Sequence, residues 1–414
     1  MSRLGGLDDR GRRRRGYAVR DRQTGARPVS GELLAGVRVV EVGQYVAAPF
    51  AALLLAQLGA EVVKVEPPGG DAYRGTMPVG AGLGRFFVPL NRGKRSVALD
   101  LKSDAGREAL RALLADADVV LHNAPPERAR VFGLGWEELH TLLPSLVMGV
   151  VSSFGPEGPL AGAPAYDLVA QARAGLLTAH ASPGDRVPVR AGGIPMADLA
   201  AGMLLATGVL AALVRARETG EGERVEVPLL AAALAVQLQE LVWLPGEEDE
   251  GPVAATRADL ETRADEIATG VATNPYYRCF EAADGFLAVA CLNLPQRHAF
   301  ADLLGLDDPT IEAPDVIPSD PTLVARKREV TAQAERAFAG AGVEAWLGRF
   351  GAVGVPCGPV NARERVLRDP QVRVNGFLEE FEQPGLGSIT ALGRVFLTGS
   401  PREPLGPAPS RETA

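Results

Sequence analysis

LAGVRVVEVGQYVAAPFAALLLAQLGAEVVKVEPPGGD, residues 34–71, decides the fold. The run VRVVEVG (37–43) carries four valines and reads as a buried strand. PFAALLLAQLGA (49–60) follows as a helix, with Pro49 at its start and Gly59 at its stop. EVVKVE (61–66) supplies the next strand. Strand, helix and strand within about 30 residues form a βαβ unit, which demands parallel strands and a right-handed crossover.

The alternation continues outward. SVALDL (96–101) reads as a strand, residues 103–118 as a helix capped by Ser103, and VVLHN (119–123) as a strand. LVMGVVSSF (146–154) is another strand and runs into the glycine-proline loop GPEGPLAGAPAY (155–166). A long apolar helix is expected from Leu199 to Arg217, with a strand at Glu223–Val227. The expected class is therefore α/β: a large Rossmann-like domain built on a parallel sheet, spanning 31–243. Residues 244–273 turn acidic and turn-rich, beginning PGEEDEG at 245, and read as a linker. A small α+β domain is expected over 274–350. It opens with YYRCFEAADGFLAVACL (276–292), a hairpin about an Asp-Gly turn, and continues with helices near 296–306 and 323–339. Residues 351–414 return toward the large domain through GVPCGPVN (354–361), a short helix at 362–367 and a strand FLEEFE (377–382), then end in a solvated tail.

Composition narrows the function. The chain has 414 residues, 46% of them apolar, and a net charge of −8, which disfavours general nucleic-acid binding. The exception is a basic head, residues 1–30, containing GRRRRG (11–16). It lacks the apolar run of a secretory signal, and Asp8, Asp9 and Asp21 interrupt an amphipathic import peptide. It reads as a disordered tail, or as translation assigned from too early a start. The 3 cysteines and 4 histidines fall in no disulfide framework and no metal-ligand spacing, consistent with reduced thiols in the cytoplasm. Apolar stretches near 45–60 and 199–214 fall short of the ~20 residues of a bilayer span, so buried helices and no membrane partner are expected.

The turn after the first strand, VGQYVAAPF, is neither GxGxxG nor GxxxxGK[ST], so nucleotide binding by a glycine loop is unsupported. With no metal cluster and no Ser/Cys/His triad, carboxylates are the leading candidate catalysts. Asp198 stands out as a lone carboxylate at the mouth of the long apolar helix, approached through Gly192, Gly193 and Pro195. It reads either as that helix's N-cap or as a nucleophile or acid/base in a water-poor pocket.

Six blocks in order resemble the class III CoA-transferase family, which includes formyl-CoA and carnitine CoA-transferases, and its offshoot the α-methylacyl-CoA racemases. They are the opening stretch 34–71, NRGKRSVALDLKSDAGREAL (91–110), AYDLVAQARAGL (165–176), GGIPMADLAAGMLLATGVLAAL (192–213), NPYYRCFEAADGFLAVA (274–290) and GVPCGPV (354–360). The resemblance implies two chains threaded through each other as an interlocked homodimer. It implies CoA as a co-substrate with no tightly bound cofactor, and an acyl-CoA and a carboxylic acid as partners. Asp198 falls at the family's nucleophilic aspartate, which passes through a mixed anhydride and an aspartyl-CoA thioester. Tyr166 stands where the racemase branch carries its second base, a histidine, and Asp167 follows it. Tyrosine, with an ordinary pKa near 10, is a poor base at neutral pH, which favours transfer over racemisation. Packing remains the alternative for Tyr166, and helix capping the alternative for Asp167.

The positions matching the family's CoA site are Val46 and Ala47, Leu99 to Lys102, Asn123, Ala124 and Pro125, and Ala163 and Ala165. Lys94 and Arg95 form a basic pair read either as phosphate contacts or as a solvated face. Three positions depart from the family: Pro67, Val131 and Pro164 stand where cations are usual, leaving Arg130 and Arg128 as substitutes. Formyl-CoA transferase's glycine-rich loop has no counterpart, which disfavours formyl/oxalate exchange. The other readings are a racemase or epimerase of α-branched acyl-CoA, or a non-catalytic acyl-CoA-binding member.

Overall fold

The structure, a computed structural model, describes residues 32–182, 184, 187–188, 190–246, 254–313, 320–398 and 404–410. The basic head lies outside the described residues. The opening unit is strand β1 (Arg38–Val42), helix α1 (Ala47–Gln57) and strand β2 (Glu61–Glu66). Next come β3 (Lys94–Ala98), α2 (Asp104–Leu114), β4 (Val119–His122) and β5 (Val147–Ser152). Short helix α3 (Asp167–Arg173) precedes the long α4 (Met196–Thr219), then β6 (Arg224–Pro228) and α5 (Leu229–Ala235).

The six strands form one sheet in the order β3-β2-β1-β4-β5-β6, and every pairing is parallel. The strand order reverses between β1 and β4, so the chain leaves these two neighbours in opposite directions. That divergence opens a crevice beyond their C-terminal ends, the place where open α/β sheets bind ligands. One core, including Leu55, Ala201, Leu205 and Val209, packs α1 and α4 on one face of the sheet. A second, including Leu110, Leu114, Val120 and Met148, packs α2 on the other. Contact between α1 and α4 is close because α4 presents Gly202. A Cβ there would meet Ala47 O at 2.8 Å and Phe50 Cδ1 at 2.9 Å.

Helix α4 runs 24 residues, longer than its sequence pattern indicated, and ends where Gly220 adopts φ 80°. By length and composition alone it could cross a membrane, yet 50% of its most apolar window is buried within the protein. The expected linker contains a helix, α6 (Arg257–Thr273), started by a capping box between Thr256 and Asp259. Its polar faces hid its periodicity in the sequence. The hairpin appears as β7 (Tyr277–Ala282) and β8 (Gly285–Ala290), and β9 (Cys357–Pro359) pairs antiparallel beside β8. Its core is aromatic: Phe280 stacks on Phe338 with centroids 4.3 Å apart, and Phe300, Phe350 and Trp346 close around them.

Two features of the C-terminal region differ from expectation. FLEEFE belongs to β10 (Leu378–Gln383), which turns back into an unanticipated partner, β11 (Gly387–Leu392). The tail is not wholly solvated either. Leu405 and Ala408 are buried, Arg92 Nη2 donates to Leu405 O at 3.0 Å, and Gln383 exchanges two hydrogen bonds with the Ala408 backbone. Within the tail, the described stretch 404–410 docks through these backbone contacts, which composition does not reveal.

Candidate active site

A cavity of about 330 Å³ opens at the β1/β4 crevice and reaches Asp198. Its floor is built from strand ends: Val42, Val65, Asn123 and Val151 all line it. The loop after β1 is pinned there by a reciprocal pair. Gln44 N donates to Asn123 Oδ1 at 3.1 Å, and Asn123 Nδ2 donates to Gln44 O at 2.8 Å. The clamp holds Tyr45 at φ 66°, a left-handed conformation unusual for a residue with a side chain. The Tyr45 ring meets Tyr166 and Tyr73 edge-on at 5.6 and 5.4 Å, making an aromatic wall beside Asp198. Burial, and then a hydrogen bond with Tyr166, raises the Tyr45 hydroxyl. Burial followed by the Asp198 charge raises that of Tyr73, which places Tyr73 within electrostatic reach of Asp198.

Asp198 is not the N-cap of α4. That position is Pro195, and Asp198 stands in the first turn. The carboxylate that serves the helix start belongs to Asp167: its Oδ1 accepts from Ala197 N at 3.0 Å and Asp198 N at 3.3 Å. Its Oδ2 accepts from Gln171 Nε2 at 2.7 Å and Arg190 Nη1 at 3.1 Å. Asp167 is 5% exposed and lies behind the cavity wall, so it touches no ligand space. It caps, as one sequence reading held, but it caps a neighbouring helix and not its own, whose N-cap is Tyr166. The Asp198 carboxyl is pushed up to about 7, first by burial and then by the Asp167 charge, with Arg190 offsetting part.

The basic pair divides. Lys94 is buried, and its Nζ donates to Glu41 Oε2 at 2.7 Å, Pro49 O at 2.8 Å and Asn91 Oδ1 at 3.0 Å. Burial lowers it to about 8 in spite of Glu41. Lys64 Nζ meets the other Glu41 oxygen at 2.7 Å and Asp71 Oδ2 at 2.9 Å. Burial opposes ionisation of Glu41, yet the two lysines outweigh it and hold that carboxyl below its ordinary value. Lys94 therefore ties β3 to β1 inside the protein and is unavailable to a phosphate. Arg95 points to solvent on β3, away from the cavity lining.

Most other expected CoA positions do converge. Ala47, Leu99, Lys102, Asn123, Ala124, Pro125 and Ala165 line the cavity, together with Tyr166 and Asp198. Val46 is buried beside it, and Ala163 lies outside the lining while Pro164 is part of it. Of the two arginines proposed as substitutes, Arg128 lines the cavity and Arg130 does not. Pro67 lines the wall with Pro68, whereas Val131 stands exposed outside the lining. Lys102 and Arg128 are thus the cations of the lining, contributed from the segments that follow β3 and β4.

Sequence reading missed Gln44, Tyr45, Ser152, Ser153 and Leu229 in the lining, and Tyr73 and Arg190 nearby. The first four lie at or just beyond the C-terminal ends of β1 and β5, so the rule for open sheets would have found them. No local pattern marks Arg190 or Tyr73. Ser153 Oγ accepts from Ala165 N at 3.0 Å, anchoring the glycine-proline loop. Ser152 Oγ is buried on the wall without a hydrogen-bond partner among the described residues. No group of three or more His, Cys, Asp or Glu able to hold a metal occurs among them.

The chain matches the sequence model of CoA-transferase family III over residues 34–413. It is 30% identical over 363 residues to the mouse (Mus musculus) succinyl-CoA:glutarate CoA-transferase, covering 87% of this chain and 79% of that one. With the acetyl-CoA:oxalate CoA-transferase of Acetobacter aceti it shares 28% identity over 390 residues, 87% and 94% of the two chains. A crystal structure of a CAIB/BAIF family protein from Brucella suis superposes with a TM-score of 0.71 at 27% identity, covering 92% and 96%. The crystal structure of Rv3272 from M. tuberculosis gives 0.73 at 27% identity, covering 93% and 98%.

Proposed function

The chain belongs to CoA-transferase family III and is a CoA-transferase, and on that premise we propose that Asp198 is the nucleophile that carries CoA from a donor acyl-CoA to an acceptor carboxylic acid. One observation carries the reading. A single cavity at the sheet's switch point joins a carboxyl held near neutrality to two cations on separate rim segments.

An Asp198 oxygen attacks the thioester carbonyl, the C–S bond breaks, and a mixed anhydride forms with release of CoA thiolate. The thiolate attacks the Asp198 acyl carbon and expels the donor acid as its carboxylate, leaving an aspartyl-CoA thioester. The acceptor carboxylate attacks that thioester and frees the thiolate, which then attacks the acceptor's acyl carbon. The new acyl-CoA departs and the Asp198 carboxylate is restored. Thioester energy is conserved throughout. The tetrahedral oxyanions need donors, and the amides of Ala197 and Asp198 are already engaged by Asp167. Tyr45 and Tyr166, which line the cavity together with Asp198, carry the hydroxyls assigned to that task.

Lys102 and Arg128 supply charge for the CoA phosphates, which compensates for Pro67 and Pro164 on the same lining. The interlocked homodimer is part of the proposal. Its support is exposed apolar surface: Tyr166 at the cavity, Leu168 and Val169 on the adjoining α3, and Val242, Trp243 and Leu244 beyond α5. The test is incubation with a panel of acyl-CoA donors and free acids, read by mass spectrometry for exchange and a covalent CoA adduct. Asp198→Ala abolishes both. Exchange that survives this substitution removes Asp198 from the chemistry. Loss of α-hydrogen to deuterium oxide with no acceptor present would favour a racemase instead.

A further inference from the structure

We propose that Asp167 and Arg190 act together as positioning residues for the nucleophile, fixing the first turn of α4 and setting the charge that Asp198 experiences. The inference rests on Asp198 being the nucleophile. A helix start leaves its first N–H groups without intrahelical partners, and the usual remedy is a side chain one to three residues away. In α4 that remedy comes from another helix. Asp167 lies 30 residues before Ala197, and both its oxygens are committed: Oδ1 to two amides of α4, Oδ2 to Gln171 and Arg190.

Arg190 enters from the segment that leads into α4. Between them Gly192 and Gly193 take φ 57° and 71°, which lets the chain reverse within a few residues. The Gly192 carbonyl accepts from Arg363 Nη2 at 3.2 Å, on a segment 171 residues downstream. The backbone beneath Asp198 is therefore tied to α3, to its own approach segment and to the returning chain. Its side chain makes no hydrogen bond among the described residues and lines the cavity.

The charge arrangement follows from the same contacts. Asp167 and Arg190 are the charged groups that act on Asp198, with opposite signs. Tyr73 from the turn after β2, Tyr45 from the loop after β1 and Tyr166 ahead of α3 complete the titratable surroundings, with Asp71 behind Tyr73 and Arg363 beyond Gly192. A negative charge fixed behind the nucleophile raises its affinity for a proton and also for an acyl carbon. Arg190 limits that effect so that the carboxylate is still available at neutral pH.

The two residues make opposite predictions. Asp167→Asn keeps an oxygen for the α4 amides and removes the charge, so the acid limb of the rate of aspartyl-CoA formation moves to lower pH. Above the limb that rate falls at least tenfold, while the KM for acyl-CoA stays within about threefold, because Asp167 does not line the cavity. Arg190→Gln moves the acid limb to higher pH, and Arg190→Lys restores it in part. Single-turnover adduct formation, measured by mass spectrometry from pH 5 to 9 on the full chain, reads all of these. Adduct rates and limbs at wild-type values in both Asp167→Asn and Arg190→Gln overturn the proposal while leaving the nucleophile in place. Limbs that move in the same direction for both variants also overturn it. Should Asp167→Asn fail to fold, Arg190→Gln alone decides by the sign of its shift. An adduct that persists in Asp198→Ala refutes the nucleophile reading, and this proposal with it.

Discussion

Replacing Asp198 with Asn should stabilise the protein, and only above acidic pH. The carboxyl, ordinarily at 3.8, is held at about 7 by burial and by the neighbouring Asp167 charge. In the unfolded chain it ionises above pH 4, whereas the folded protein keeps the proton until about 7. The folded state thus binds more protons across that window, and its stability falls as pH rises through it. Asparagine has no proton to lose, so the variant escapes the decline. The gap between 3.8 and about 7, at about 1.4 kcal/mol per pH unit, sets a ceiling of about 4 kcal/mol. Asp198 is only partly buried by accessible surface, so solvent screening reduces the expected gain to about 2 kcal/mol. Urea unfolding of both proteins at the same chain concentration, from pH 4 to pH 8, measures it. The stability difference should be near zero at pH 4, grow through neutrality and level off above it. A difference that is constant across pH would refute the electrostatic account. So would a wild-type protein more stable than the variant at pH 8. The expected result is also what a site built for reactivity at some cost in stability should show.

Three further outcomes follow from the geometry. Lys102→Ala and Arg128→Ala should each weaken CoA binding by about fivefold, more at low salt than at high, since exposed charge contacts contribute about 1 kcal/mol. Calorimetric titration should find Arg95→Ala and Arg130→Ala unchanged, and equal losses for all four would dissolve the assigned CoA rim. Glu41→Gln leaves Lys64 and Lys94 buried with half their compensation, and should cost about 3–5 kcal/mol by chemical unfolding. Near-neutral stability in that variant would mean the lysines had found another route to solvent. Gly202→Ala drives a methyl into Ala47 O and the Phe50 ring, so α4 must move off α1 at about 1–3 kcal/mol. Because Ala47 also lines the cavity, CoA exchange should fall with it, and an unchanged turnover would argue that the two helices slide freely.

Much of the fold was legible because its determinants are local. The β2 strand appears at Glu61–Glu66, the residues its β-branched run marked, and Ser103 caps α2 by accepting from Gly106 N at 3.0 Å. The elements that escaped reading lack such marks. Helix α6 crowds charged residues into its first ten positions, and β11, GSITAL, opens on glycine and serine and lacks the aromatic residues that marked FLEEFE. Its hairpin exists because β10 offers an edge and the docked tail covers Gln383.

The same division runs through the site. Sequence by itself determined an alternating α/β chain, a parallel sheet, and one carboxylate at the mouth of an apolar helix, because periodicity and turn residues act over a few positions. Only the tertiary structure decided what each polar side chain serves. Lys94 turns inward to Glu41 and away from CoA, Arg128 reaches the cavity in place of Arg130, and Asp167 caps the helix that Asp198 seemed to cap. Each of those outcomes joins residues brought together by strand order and helix packing, and a side chain's partner across such distances leaves no trace in its own neighbourhood of the chain.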